Sequence, residues 1–149
     1  MPMAKQKKRK VNVQPARHGL GVFANRRFRA NRYIGRIRGR IITDPAHSSN
    51  YCMDLGGEHS LEPTAPFRYL NHSCSPNCSL VLLQVEYEDG TPSETELWLE
   101  ANRDIYDGEE LTIDYGWPAD AAMPCNCGSP NCRGWIVAEE LVDGIGQAQ

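Results

Sequence analysis

Arg68-Tyr69-Leu70-Asn71-His72-Ser73-Cys74-Ser75-Pro76-Asn77 is the stretch whose reading decides the fold. Its polar members lie between residues 51–55 and 80–87, two segments whose aliphatic and aromatic content reads as strand. A polar group buried in such surroundings must find a hydrogen-bond partner, so the block either knits a core or builds a site. A second block of the same character follows, Glu110-Leu111-Thr112-Ile113-Asp114-Tyr115-Gly116. Neither names a reaction by itself. Taken singly, Tyr115 reads as a packed strand tyrosine, Asn71 as a turn residue and His72 as a satisfied core histidine.

Outward from these blocks the chain is mostly β. Thirteen glycines and ten prolines punctuate short strand-like segments at residues 21–25, 34–42, 51–55, 80–87, 96–101 and 110–115. Residues 82–101 read as a hairpin, with Glu88-Asp89-Gly90-Thr91-Pro92-Ser93 supplying the turn chemistry of a solvent-exposed tip. Helix is expected only at residues 138–142 and 45–49. Composition shifts after Tyr115, where residues 116–124 resemble a linker leading into cysteines. The implied organisation is a basic tail over 1–12, a main domain over 13–117 and a cysteine-bearing segment over 118–149.

Charge is divided along the chain. Residues 5–40 hold 13 of the 16 basic side chains, and no acidic residue precedes Asp44. The remainder carries three basic residues against all 19 acidic ones. Such halves either pack against each other or present an acidic face to a cationic partner. The run Lys5, Lys7, Lys8, Arg9, Lys10 reads as a solvated terminus, with a localisation signal or nucleic-acid contact as the alternatives. No apolar stretch approaches the roughly 18 residues of a membrane span, and no apolar run follows the basic start as in a signal peptide. The expectation is an intracellular protein, cytoplasmic or nuclear, without a membrane partner.

Five of the six cysteines are grouped: Cys74 with Cys78, and Cys125 with Cys127 and Cys132. In a reducing compartment such groups are metal ligands sooner than disulfides. Cys125-Asn126-Cys127-Gly128-Ser129-Pro130-Asn131-Cys132 places three thiols around a tight turn, three corners of a zinc tetrahedron. A closed structural site needs a fourth, from Cys74, Cys78 or His72. Cys52 stands apart and reads as a small core residue.

With His18-Gly19-Leu20-Gly21-Val22-Phe23 at the start and Arg133-Gly134 after the last cysteine, these blocks together resemble the SET-domain protein-lysine methyltransferases with a cysteine-rich post-SET segment. The resemblance spans residues 13–136. A lone Gly-x-Gly is weak, whereas Asn-His-Ser-Cys-x-Pro-Asn in order with Asp-Tyr-Gly and the tail is specific. It implies a SET-domain β-clip of several small sheets, a carboxyl-terminal pseudoknot, and a zinc-bound tail. Position by position, it implies S-adenosylmethionine against Gly19, Leu20, Gly21, Arg68, Asn71 and His72, with Trp135 nearby. It further implies Tyr115 as the catalytic tyrosine, Tyr51, Ile113 and Trp117 along the lysine channel, and Cys74 as the fourth ligand with Cys125, Cys127 and Cys132. The implied partner is a lysine-containing protein, a histone among the candidates. Trp117 and Trp135 also read as plain core aromatics.

The chain departs from that family at several places. Ile37-Arg38-Gly39-Arg40 stands where relatives usually carry a tyrosine before Val-Gly-Glu, and Ile113 where they often carry phenylalanine or tyrosine. Both isoleucines imply room for more than one methyl group. The acidic residues between Glu86 and Glu110 either steer a lysine-rich peptide or only solvate a hairpin. Two competing classes are a catalytically inactive SET-like peptide-binding module and a zinc-stabilised nucleic-acid adaptor. Intact Tyr115, Asn71 and His72 argue against the first, and the acidic balance beyond residue 40 against the second. The sequence leaves the oligomeric state open.

Overall fold

Leu97, Leu99 and Ala101 alternate with Glu96, Trp98 and Glu100, the period of a strand with one face in the core. In the computed structural model, which describes residues 9–145, those three are buried and the others half-buried. Lys5, Lys7 and Lys8 of the basic run, and the last four residues of the tail, lie outside the described residues.

Twelve short strands are described: β1 (Val11–Ala16), β2 (Gly19–Ala24), β3 (Tyr33–Ile37), β4 (Gly39–Ile42), β5 (Met53–Asp54), β6 (Ser60–Pro63), β7 (Asn71–His72), β8 (Cys78–Val85), β9 (Glu94–Ala101), β10 (Glu110–Ile113), β11 (Met123–Pro124) and β12 (Trp135–Ile136). They form four small sheets, ordered β1-β2-β10-β7, β3-β9-β8, β4-β6-β5 and β11-β12. The hairpin expected over residues 82–101 is the antiparallel pair β8–β9, in register from Cys78↔Ala101 to Val85↔Glu94.

β10 positions the site. It pairs antiparallel with β2 and parallel with β7, bringing Thr112 beside Asn71 and Ile113 beside His72. The loop after β7 closes over it. Ser73 N–H donates to the Ile113 carbonyl at 2.9 Å, Asn77 Nδ2 to the Glu110 carbonyl at 2.8 Å, and Thr112 N–H to Asn77 Oδ1 at 2.9 Å. A late strand is thus bonded both to an early strand and to the loop that follows it. Beneath it Val22 and Leu111, register partners, are fully buried; each contributes about 1.5–3 kcal/mol by burial.

Several sequence expectations need correction. Residues 34–42 are two strands in different sheets, because Gly39 lies so close to the Glu62 carbonyl that no side chain fits, and the chain crosses there from β9 to β6. Residues 45–49 form a turn instead of a helix, since Asp44 Oδ1 takes the Ala46 N–H at 2.9 Å, a local bond that competes with helix. At the other end, the 3-10 turn Glu139–Leu141 leads into the short helix α1 (Val142–Ile145). The first sheet begins at Val11, inside the segment read as tail; Pro15 is tolerated because β1 is an edge strand. Among the described residues no helix is long and apolar enough to cross a membrane.

Candidate active site and metal centre

Tyr115 follows β10 directly, and its ring is held from two directions. Its backbone N–H donates to His72 Nδ1 at 3.1 Å, and its hydroxyl donates to the Leu70 carbonyl at 2.6 Å. Burial pushes the phenol up to about 12, with Tyr51 and Glu110 adding to the shift. The hydroxyl therefore stays protonated at neutral pH. With its hydrogen committed to Leu70, its oxygen lone pairs are free to accept from an amine.

Tyr115 opens onto a cavity of about 360 Å³, lined also by Tyr51, Cys52, Arg68, Leu70, Ile113 and Trp117 among others. That volume lies at the small end of the range for small-molecule sites. The Trp117 ring lies 5.1 Å from that of Tyr115, tilted by 31°. The structure thus gathers Tyr51, Arg68, Ile113, Tyr115 and Trp117, five residues assigned from sequence to two different ligands. Ile37 is not among them: it is buried in the core, so the extra room inferred at that position does not reach the cavity. Trp135 lies in the β11–β12 ribbon, half-buried and outside the lining.

The remaining residues assigned to the cofactor flank β10. Asn71 Nδ2 donates to the Leu20 carbonyl at 3.0 Å and to Glu110 Oε2 at 2.8 Å. The two glycines of Gly19-Leu20-Gly21 differ in their reason. A Cβ on Gly21 would collide with the Glu110 carboxylate and the Ala16 side chain, so that glycine serves packing. Gly19 has φ +79° and open space where a side chain would project, a backbone free to meet a ligand. His72 is buried; burial lowers its pKa, outweighing the opposing pull of Asp114. It is therefore neutral, accepting at Nδ1 from Tyr115, with Nε2 3.4 Å from the Cys74 sulfur. The histidine side chain links Tyr115 to the cysteine cluster.

The sulfurs of Cys74, Cys125, Cys127 and Cys132 all lie within 4.8 Å of one another. Cys74 and Cys125 are 3.9 Å apart, close to the roughly 3.8 Å edge of a tetrahedron with 2.3 Å metal–sulfur bonds. These four could hold a metal ion. Burial opposes ionisation of Cys127, but hydrogen bonds from backbone and neighbouring thiols outweigh it and bring that thiol down to about 6, so one thiolate is ready at neutral pH. Cys78, open as a ligand on spacing alone, is buried in the core, with burial pushing its thiol up to about 12. The tail is pinned further by Arg133, whose guanidinium donates to Asp114 Oδ1 at 2.9 Å and to the Val137 carbonyl at 2.8 Å, and by contact of His18 Nε2 with the Asn126 carbonyl at 2.8 Å.

Sequence reasoning missed a second cluster. Glu62 accepts from Arg68 Nη1 at 3.0 Å, Ser49 Oγ at 3.1 Å and Cys52 Sγ at 2.9 Å, and lies 3.3 Å from His47 Nε2. Arg68 in turn stacks over the Tyr51 ring at 3.9 Å. The hydrogen bond from Cys52 is the first cause of a Glu62 carboxyl lowered to about 2; burial and Glu62 together push Cys52 up to about 11. Cys52 is therefore a half-buried donor on the cavity wall, not a core residue.

Comparison with known proteins agrees with this architecture. The SET domain model matches residues 19–116. The chain is 32% identical over 149 residues to an H3 lysine-4-specific histone-lysine N-methyltransferase of Schizosaccharomyces pombe, covering 89% of this chain and 16% of that protein. It is 33% identical to human histone-lysine N-methyltransferase 2D, covering 85% of this chain and 2% of the other. A third relative, Arabidopsis thaliana histone-lysine N-methyltransferase ASHR3, is 32% identical over 91% of this chain and 29% of its own. This chain therefore spans only a small part of these relatives. A crystal structure of a Plasmodium falciparum protein assigned as a histone methyltransferase superposes with a TM-score of 0.60 at 23% identity, over 73% of this chain and 99% of that one. The chain belongs to the SET-domain family, as the Asn71 to Asn77 block, the Asp-Tyr-Gly block and the cysteine-rich tail indicated.

Proposed function

We propose that the protein is an S-adenosylmethionine-dependent protein-lysine N-methyltransferase acting on a histone or another lysine-rich protein. Residues 13–117 form its catalytic unit and residues 118–149 a zinc-bound post-SET segment. The observation that carries this reading is the half-buried Tyr115, its hydroxyl hydrogen turned to Leu70, on the wall of a cavity lined also by Tyr51, Ile113 and Trp117.

A lysine amine of ordinary pKa near 10.4 is neutral in only about a few parts in ten thousand at pH 7, a deficit of roughly 4–5 kcal/mol. Aromatic and aliphatic walls reduce that deficit by stripping water from the ammonium form. Tyr115 Oη then accepts one N–H and fixes the nitrogen's direction. Solvent takes the lost proton, since the phenol at about 12 is no general base at neutral pH.

The open left-handed backbone at Gly19 and the polar groups of Arg68 and Asn71 suit a polar nucleotide-like methyl donor. S-adenosylmethionine, which would be held by Gly19, Leu20, Gly21, Arg68, Asn71 and His72, would supply a methyl group activated on a sulfonium. Trp135 is retained as a residue bordering that donor. Zinc, held by Cys74, Cys125, Cys127 and Cys132, supplies a cross-link between tail and β-scaffold, with no position left for substrate. Ile113 in the lining leaves space for more than one methyl per lysine.

The test is incubation with methyl-labelled S-adenosylmethionine and a panel of lysine-rich proteins, histones included, followed by mass spectrometry. Label on lysine at a defined position supports the reading. Tight cofactor and peptide binding without turnover would replace it by a peptide-binding module.

A further inference from the structure

The loop between β2 and β3 concentrates cations that the mechanism does not use. Lys10, Arg26, Arg27, Arg29 and Arg32 line a second cavity of about 350 Å³, which shares no residue with the lining of the Tyr115 cavity. Among the described residues only Arg27 of these five has a carboxylate within ion-pair distance, Asp104 at 3.0 Å. Like charges so crowded repel one another, and on a chain of net charge −3 the crowding is not a by-product of composition.

The loop is also rigidly built. Phe28 is buried and pairs with Ile105 through reciprocal backbone hydrogen bonds of 2.9 and 2.8 Å. Asn31, in the left-handed region at φ 67°, turns the chain so that Asn31 N–H reaches the Ala101 carbonyl and Ala101 N–H the Arg32 carbonyl. Asn25 N–H donates to the Lys10 carbonyl and draws that lysine in. The four arginine side chains are exposed, so the backbone is ordered while the guanidinium groups are free to meet a ligand.

We propose that this groove is a sequence-independent binding site for the phosphodiester backbone of duplex DNA. Guanidinium groups match phosphate oxygens in pairs, and phosphates along a duplex supply charge at the density that five cations in one groove require. The two exposed aromatic rings beside the groove already have a partner on one face. Tyr33 packs against Trp98 at 5.6 Å, and Arg27 covers Tyr106 at 5.2 Å. Phosphates, not unstacked bases, are what this surface is arranged to take. Phe28, the apolar member of the lining, is buried and offers no wedge to a lipid surface.

The test is fluorescence anisotropy of the full chain with a labelled random-sequence DNA duplex across a salt series. Four unpaired cations predict an affinity loss of about 100-fold between 50 and 200 mM salt. Arg26→Gln/Arg29→Gln/Arg32→Gln should weaken binding at least about 10-fold and flatten the salt dependence, with circular dichroism and metal content unchanged. Lys5→Gln/Lys7→Gln/Lys8→Gln should retain most of the affinity. The proposal is overturned if binding vanishes with the lysine variant alone and survives the arginine variant. Tighter binding to single-stranded DNA or to anionic phosphatidylserine vesicles than to the duplex would also overturn it, as would no duplex binding at 50 mM salt. None of these measurements depends on methyl transfer, so failure here leaves the proposed reaction untouched.

Discussion

Two side-chain clusters flank the Tyr115 cavity, and they are held together by different means. On one side Glu62 gathers Arg68, Ser49, Cys52 and His47 through charge-assisted hydrogen bonds that the chain completes by itself. On the other, four sulfurs converge within 4.8 Å of one another, an arrangement that could hold a metal ion. The first cluster fixes Tyr51 through Arg68, and the second fixes Tyr115 through His72 and the Arg133–Asp114 pair. One wall of the cavity is self-sufficient in its hydrogen bonds, whereas the other gathers four thiols that could hold a metal ion.

Both walls border the cavity onto which Tyr115 opens, so under the proposed function its hydroxyl carries the largest expected effect. Tyr115→Phe should lower kcat by at least about 100-fold, in line with loss of a single oriented polar group, while cofactor affinity measured by calorimetry stays within a few-fold. Undiminished turnover would mean that neither wall serves the reaction.

Next comes the wall of four thiols, metal-bound under the proposed function. Cys132→Ser, or treatment with a strong chelator, should expose the amides of residues 123–137 to hydrogen exchange and lower activity about 10-fold or more. Exchange in residues 47–63 should be unchanged. Simultaneous loosening of both regions would erase the distinction.

The self-sufficient wall should respond in the opposite pattern. Glu62→Ala removes the acceptor of Cys52 and leaves Arg68 only the Pro63 carbonyl, and should lower unfolding free energy by about 1–3 kcal/mol, with metal content intact. Loss of zinc in that variant would show the clusters to be one unit.

The smallest effect sharpens the comparison through pH. Glu62 is lowered from 4.5 to about 2, so its contribution is present above pH 4.5 and lost as pH falls through about 2. Cys52 is raised from 9.0 to about 11, so its contribution is present below pH 9 and lost as pH rises through about 11. Denaturant midpoints of the wild type should fall at both ends relative to a Glu62→Gln/Cys52→Ser variant; equal pH profiles would remove the hub as a source of stability.

The sequence was informative where chemistry is written in neighbouring residues. Asn71 to Asn77, Asp114 to Gly116 and the tail cysteines carry their spacing in the chain, and they pointed to the family before any contact was seen. The Glu62 cluster was hidden because its members, at positions 47, 49, 52, 62 and 68, follow no period and include residue types that usually mark loops. The contacts of His72 were hidden as well, because which atoms it uses depends on a parallel pairing with Ile113 that no local pattern encodes.

What the sequence alone determined, then, is the identity of the chemically capable groups: Tyr115, four convergent cysteines and a front half rich in arginine. Tertiary structure decided how they are used, because pairing β10 with both β7 and β2 brings residues distant in the chain within hydrogen-bond range and sets each group's burial. Burial in turn sets the protonation of Tyr115 and His72, and the bond from Asn25 N–H to the Lys10 carbonyl brings that distant lysine into the groove of four neighbouring arginines. Electrostatics acts through space, so charges spread along a sequence acquire their meaning only when folding sets the distances between them.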